Sequence, residues 1–363
     1  MKIYGIKESL EIYVEGEEFI HFLFVHNQKQ LIYDYDPGFL SLLKVMEEKR
    51  SLKEIIYEVK LVNPEITEND ITNAIKLLLE DGIVFEVSGK LTQIESYNRN
   101  QRQIDFFNEY DSSRGGEIIQ KELSSKKAVI IGLGGIGSWV ITTLAMAGIN
   151  HFVILDGDIV EESNLTRQNL YTYNDIGRKK VDVVKHKIRM LNQEAQVDTF
   201  DMFCHQDTDI HSVVNGSDIV ISCIDEPSVT ETGKWVSRAA QDLKIPHIVS
   251  GGYLGHLGFI GPTIIPGETI CWECIVESLE SDYKDWKLIK SSRRVGSIGS
   301  LSSIVANLHA WEAIRVLTNI SEPIMKNKRG EFDFIKLNIK LFDIERNKNC
   351  GICSHAQKLK KVR

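Results

Sequence analysis

Residues 126–155 read KKAVIIGLGGIGSWVITTLAMAGINHFVIL, and residues 156–180 continue DGDIVEESNLTRQNLYTYNDIGRKK. Residues 128–131 are a compact apolar run of the kind that forms a buried strand. Gly132, Gly134 and Gly137 then give G-x-G-x-x-G, with Gly135 inside the same turn, and apolar residues recur at helical spacing over 136–147. A second strand, 152–155, ends on Asp156. Strand, glycine turn, helix, strand and acid, with the acid about 20 residues beyond the glycines, is the pattern of a nucleotide-binding βαβ unit. The glycines let the backbone approach phosphates, and the helix N-terminus offers N–H groups to negative charge. Asp156 is placed to hydrogen-bond a ribose hydroxyl. By itself the glycine motif also fits a dinucleotide oxidoreductase or a mere tight turn.

The surrounding chain sets bounds. It has 363 residues, 42% hydrophobic and 26% charged, with a formal net charge of −8. That is an ordinary composition for a globular protein of about two domains. The acidic balance argues against a nucleic-acid partner. The N-terminus lacks an apolar signal-peptide core. Residues 128–150 carry no charge and are long enough to span a bilayer, but their five glycines favour strand, turn and helix. No membrane partner and a cytoplasmic location are expected.

Residues 1–90 differ in character. Short alternating runs over 10–25 read as strands. Asp36-Pro37 opens a helix, 52–59 is a second amphipathic segment, and Thr67 with Asp70 caps a third that stops at Gly82. Residues 83–87 close with a strand. This small sheet with three helices resembles the winged-helix-like α+β peptide-clamp domain of ribosomal-peptide biosynthesis enzymes. There a precursor peptide adds as a strand to a sheet edge. The alternatives are a dimerisation domain and a winged-helix DNA-binding domain, although no basic recognition helix is visible. Residues 91–125 are polar and linker-like and contain Arg99 and Arg102. Taken alone, these two read as solvated arginines on an amphipathic helix.

After Asp156, polar and cationic groups crowd the strand's carboxyl end: Asp158, Asn164, Arg167, Gln168 and Lys180. A dinucleotide site holds its pyrophosphate mainly with backbone and helix dipole, whereas a triphosphate under attack needs cations and a metal. Further on, residues 218–225 (DIVISCID) deliver Asp225 to the sheet's carboxyl edge, as a ligand-side residue or as a helix N-cap. Cys271 and Cys274, then Cys350 and Cys353, form two C-x-x-C pairs. Together they can supply four thiolates to one closed tetrahedral zinc; redox motifs would want a thioredoxin-like context. His355 is near but superfluous. Cys223 sits on an apolar strand and reads as core, and residues 275–349 contain no cysteine.

The runs G-x-G-G-x-G, L-D-x-D-x-V-x-x-S-N-L-x-R-Q and G-x-x-K-V resemble the ThiF/MoeB-type adenylation superfamily of ubiquitin-activating enzymes. Over the whole chain the resemblance is to its microcin C peptide nucleotidyltransferases, the MccB type. It implies a mostly parallel, Rossmann-like α/β adenylation domain over 126–363, a clamp over 1–90 and a linker over 91–125. It implies a cytoplasmic homodimeric nucleotidyltransferase. That enzyme uses ATP or CTP with Mg2+ to activate the C-terminus of a short ribosomal peptide and installs a nucleotide in antibiotic biosynthesis. By the resemblance, the glycines cradle the α-phosphate and Asp156 binds ribose. Asp158 belongs to the nucleotide site; Asn164, Arg167, Gln168 and Lys180 stabilise phosphate charge. Asp225 holds magnesium, and Arg102 reaches the partner subunit's phosphates. The missing acceptor cysteine argues against thioester transfer. A clamp-bearing cyclase or dehydratase, a sulfur-carrier adenylyltransferase and a non-catalytic peptide scaffold stay open. Lys287, Lys290, Arg293 and Arg294, within 277–300, fit either a segment crossing the active site or a solvated basic loop.

Overall fold

Side-chain caps decide where the N-terminal helices begin. The computed structural model describes the chain except residues 1, 8, 26, 89–98, 112–113, 282–295 and 354–363. It divides into two compact units, Met1–Arg114 and Gly115–Arg363. The first unit runs β1 (Lys2–Ile6), β2 (Leu10–Glu15), β3 (Phe19–Phe24), β4 (Lys29–Asp34), α1 (Pro37–Met46), β5 (Arg50–Ser51), α2 (Leu52–Val62), α3 (Glu68–Glu80), β6 (Val84–Ser88) and α4 (Gln101–Tyr110). Asp36 accepts from the Phe39 N–H at 2.7 Å to cap α1. Ser51 with Glu54 and Thr67 with Asp70 form reciprocal capping boxes at α2 and α3, satisfying donors a helix start leaves open.

Two antiparallel three-stranded sheets, β2-β3-β4 and β5-β1-β6, flank these helices. The sequence reading expects one small sheet. The second arises because β1 pairs with β6 from the far end of the unit, which no local pattern marks. Alternation along β3 turns Ile20, Phe22 and Phe24 inward, where they meet Met46, Ile55 and Ile71 in one core. The result is the expected winged-helix-like α+β unit.

The second unit runs α5 (Gly116–Ser124), β7 (Lys127–Ile131), α6 (Gly137–Met146), β8 (His151–Leu155), α7 (Lys180–Leu191), β9 (Gln196–Phe200), α8 (Ile210–Val214), β10 (Ile219–Ser222), α9 (Val229–Asp242), β11 (His247–Val249), β12 (Tyr253–Leu254), β13 (Leu257–Ile260), β14 (Thr263–Ile264), α10 (Trp272–Ser281), α11 (Gly299–Thr318), β15 (Lys328–Asp333) and β16 (Asn338–Asp343). The main sheet has the order β14-β11-β10-β7-β8-β9. Its strands are parallel except β14. Residues 128–131 are buried, as befits a strand covered on both faces. The strand order reverses between β7 and β10, and open α/β sheets bind ligands in the crevice at that point. The uncharged run 128–150 is therefore strand, turn and helix, and no described helix is long and apolar enough to cross a membrane.

On one face of the sheet, Val213, Val236 and Ala240 of α8 and α9 pack against Val129, Val153 and Val220. On α11, Val305 faces β13 of a second, antiparallel sheet, β12-β13-β15-β16. Only glycine fits at 258, since a Cβ there would stand 2.2 Å from Val305. Buried Glu312 ties α11 to the main sheet's end. It accepts from Thr263 at 3.1 Å and from the Ile324 and Met325 N–H groups, and it pairs with Arg315 at 2.8 Å. Residues 91–125 are shared between the units: α4 belongs to the first, and α5 opens the second with Ile119 and Leu123 buried.

Candidate active site and cysteine cluster

The turn between β7 and α6 needs its glycines for different reasons. Gly132 has φ +91°, and a Cβ there would lie 2.9 Å from the Cys223 carbonyl at the end of β10. At Gly137 a Cβ would stand 1.8 Å from the Gly132 carbonyl, so this residue closes the turn onto the helix. Gly134 is different. The nearest atom to its Cβ position is Gln168 Nε2, 4.0 Å away, so its bareness serves open space. No side chain caps the start of α6, which leaves backbone N–H groups for an anion.

Asp156, at the carboxyl end of β8, fastens this turn. Its carboxylate accepts from the Leu133 N–H at 2.6 Å and the Asp158 N–H at 2.8 Å. Tyr171 donates to the Leu133 carbonyl at 2.9 Å. Burial pushes the Asp156 carboxyl above its ordinary range, against the opposing charge of Lys180 and the two N–H donors. Lys180, at the start of α7, is 4% exposed and pairs with half-exposed Asp158 at 2.8 Å.

The turn 161–168 carries the remaining polar groups. The Asn164 carbonyl accepts from the N–H groups of Arg167 and Gln168 at 3.1 and 3.0 Å. Trp139 of α6 donates to the Arg167 carbonyl at 3.1 Å. Gln168 Oε1 and Ser138 Oγ are buried without a partner among the described residues. Such atoms call for a ligand or water. Asp225 follows β10 at the mouth of the crevice, exposed on one side. Desolvation by the crevice raises its pKa; Glu226 and Asp158 add to the rise, and Arg167 opposes it. Arg167 and Lys180 offset part of the charge of these three carboxylates, and carboxylate oxygens so placed suit a divalent cation brought by phosphates.

The structure thus brings the four glycines, Asp156, Asp158, Asn164, Arg167, Gln168, Lys180 and Asp225 to one crevice. Arg102 is exposed on the first turn of α4 in the N-terminal unit. Lys287, Lys290, Arg293, Arg294 and His355 lie outside the described residues. Burial pushes the Cys223 thiol up to about 12, in keeping with a core cysteine. Sequence reasoning missed Tyr253, whose hydroxyl lies against Gly135; only the pairing of β12 with β13 carries it there.

The cysteine cluster lies apart from the glycine turn, where α10 begins. Cys271, Cys274 and Cys353 are buried and Cys350 half-buried. All four Sγ atoms lie within 4.8 Å of one another. The Cys271–Cys274, Cys271–Cys350 and Cys274–Cys353 separations are 3.9, 3.4 and 3.5 Å. Sulfurs at about 2.3 Å from a tetrahedral zinc are about 3.8 Å apart, so the cluster fits that ion and leaves no open position. Arg346 holds the C-terminal segment there, donating to the Thr269 carbonyl at 2.7 Å and the Cys353 carbonyl at 3.3 Å.

A doubly wound sheet with a phosphate-type glycine turn and a cation-bearing crevice at its switch point defines a nucleotide-handling α/β enzyme of the adenylyltransferase class. The chain belongs to the ThiF family, whose family model matches residues 97–352. It is 28% identical over 236 residues to the sulfur carrier protein ThiS adenylyltransferase of Escherichia coli, covering 64% of this chain and 88% of that protein. It is 25% identical over 264 residues to the heterocyst HesA protein of Trichormus variabilis, covering 73% and 90%. Among solved structures it resembles E. coli MccB bound to AMPCPP and MccA, with a TM-score of 0.77 and 25% identity over 97% of this chain and 99% of that one.

Proposed function

We propose that this protein is an ATP- and magnesium-dependent nucleotidyltransferase that activates the C-terminus of a short ribosomal peptide, in the manner of microcin C-type biosynthesis. One observation carries the reading. The likeness to MccB in complex with MccA extends over 97% of the chain, whereas the ThiS adenylyltransferase matches 64% of it. The larger span takes in residues 1–96, which the ThiF family model leaves uncovered and which are the natural place to recognise a peptide. Among the described residues no further strand pairs with the edges of the N-terminal unit's two sheets, which suits strand addition.

In the crevice, the bare backbone at Gly134 and the start of α6 receive the α-phosphate, and Asp156 holds the ribose side. Lys180 and Arg167 balance charge as a terminal carboxylate or amide oxygen attacks the α-phosphorus and pyrophosphate leaves. Asn164 and Gln168 hold this arrangement, and Asp225 with Asp158 would hold magnesium, which supplies further charge neutralisation on the phosphates. None of these groups is assigned a proton transfer, so catalysis is positioning plus electrostatic stabilisation. Arg102 acts across a homodimer, reaching the partner's nucleotide. A zinc held by Cys271, Cys274, Cys350 and Cys353 pins the C-terminal segment and takes no part in the reaction.

The relatives named as sulfur-carrier adenylyltransferases favour a second reading, in which the acceptor is the C-terminus of a small carrier protein. The test is the mass of the peptide encoded by the short reading frame nearest the gene, after incubation with enzyme, ATP and magnesium. A gain of one adenosine monophosphate is expected. Loss of water with pyrophosphate release would point instead to a cyclase. An unchanged peptide, with a carrier protein adenylated in its place, would overturn the peptide reading.

A further inference from the structure

Tyr253 stands where the second sheet meets the glycine turn. Gly252, with φ +69°, turns the chain into β12, and the Gly252 carbonyl accepts from the Phe259 N–H at 2.9 Å, fixing the start of the hairpin. The tyrosine ring is half-buried and its hydroxyl points at Gly135. A Cβ on Gly135 would lie 2.8 Å from Tyr253 Oη, 3.4 Å from Ser302 Oγ and 3.7 Å from Arg167 Cδ. Bare backbone, phenol and the arginine side chain therefore share one small space beside the turn.

The hydrogen bonds there leave one donor over. Ser297 Oγ donates to Tyr253 Oη at 2.7 Å, which occupies the phenol as an acceptor and fixes its position. Ser302 Oγ donates to the Ile298 carbonyl at 3.2 Å and is thereby committed. The two hydroxyls bring two protons to this single hydrogen bond, so one is left for an incoming acceptor, and with Ser297 donating it is the phenol's. A phenylalanine would pack equally well at this half-buried place, so packing alone does not account for the hydroxyl. A fixed neutral donor beside an arginine and a glycine turn is suited to an anionic oxygen, and preorganised donors of this kind stabilise charge that develops during reaction.

We propose that Tyr253 is a catalytic residue of the nucleotide crevice, its hydroxyl donating to a non-bridging oxygen of the α-phosphate while Ser297 holds the ring in place. The inference rests on the nucleotide reading given above and adds to it a residue that fixes the reacting phosphate. The test needs no peptide. Adenosine, AMP and ATP with magnesium are titrated calorimetrically into the wild type, Tyr253→Phe and Ser297→Ala, with melting temperatures taken on each. A hydrogen bond to a charged group corresponds to roughly 10- to 100-fold in affinity. Tyr253→Phe is expected to weaken AMP and ATP by at least about tenfold while leaving adenosine and the melting temperature unchanged. Ser297→Ala, which keeps the phenol but frees it, should show the same phosphate-selective loss at a few-fold and carries the test if the first variant does not fold. Wild-type affinity for AMP in Tyr253→Phe would overturn the inference alone, as would an equal loss for adenosine. A wild type that binds none of the three would overturn the nucleotide reading, and the inference with it.

Discussion

The crevice and the cysteine cluster sit in the same unit and are built on opposite principles. In the cluster, four sulfurs already stand at tetrahedral spacing, three of them buried, with Arg346 clamping the segment that brings the last two. Four thiolates are by themselves a complete set for one tetrahedral zinc. In the crevice the groups are close but unfinished. Lys180 makes do with the half-exposed Asp158, Gln168 Oε1 has no partner among the described residues, and desolvation, with like charges added, raises the pKa of Asp225. A closed set of ligands serves stability, whereas an incomplete set of donors and charges serves a ligand that comes and goes.

That contrast can be broken by exchanging consequences. Replacing Lys180 or Arg167 by Ala should cost the largest factor, at least on the order of 10²–10³ in turnover, with zinc content and melting temperature close to wild type. Near wild-type turnover in either variant would remove the crevice assignment. Cys274→Ser should do the reverse. Zinc measured by mass spectrometry should be lost and the melting temperature should fall by about 10 °C, with ATP affinity lost only in proportion to unfolding. Retained stability without zinc would show that the cluster is no staple.

Within the glycine turn the same distinction holds on a smaller scale. Gly137→Ala collides with backbone 1.8 Å away and should destabilise the protein by roughly 1–3 kcal/mol or more. Gly134→Ala meets nothing closer than 4.0 Å, so it should leave the urea midpoint unchanged while ATP binding weakens. Equal stability losses in the two would erase the difference drawn between them.

The remaining prediction concerns the scaffold. His247 and His309 are buried as neutral imidazoles, each pushed down to about 4 by burial. His309 donates from Nδ1 to the Val305 carbonyl at 2.8 Å and accepts from the Gly261 N–H at 3.0 Å. His247 similarly bonds the Ile245 carbonyl and Ser237. With folded values below the unfolded 6.5, their contribution is complete above about pH 6.5 and is lost as pH falls toward 4. At pH 5 the loss is about 2 kcal/mol each. The raised Asp156 and Asp225 carboxyls act in the opposite sense, since protonation relieves them. Urea midpoints should fall more steeply between pH 7 and 5 in the wild type than in His309→Gln, and equal slopes would contradict the neutral assignment.

What could be read in the sequence was local. The glycine turn, the acid after β8, the cap of Thr67 with Asp70 and both C-x-x-C pairs are stretches of a few residues whose chemistry is complete in themselves. What could not be read was brought together by distant pairings. Nothing around residues 2–6 announces that they pair with 84–88. Nothing around Tyr253, in a glycine-rich hairpin, announces that its hydroxyl faces Gly135. Residues 91–125 look like a polar linker because Ile119 and Leu123, one helical turn apart, are outnumbered by charged neighbours. Burial of those two is what makes α5 part of the second unit. His247 and His309 carry no local sign of burial at all.

The crevice, and not the cysteine cluster, is the part proposed to perform nucleotide chemistry on a peptide terminus. Pyrophosphate release from ATP and magnesium, measured with the candidate peptide on wild type and Lys180→Ala of equal zinc content, tests it most directly. The account predicts peptide-dependent release by the wild type and none above background by the variant. Peptide-dependent release at equal rates from both proteins would contradict it.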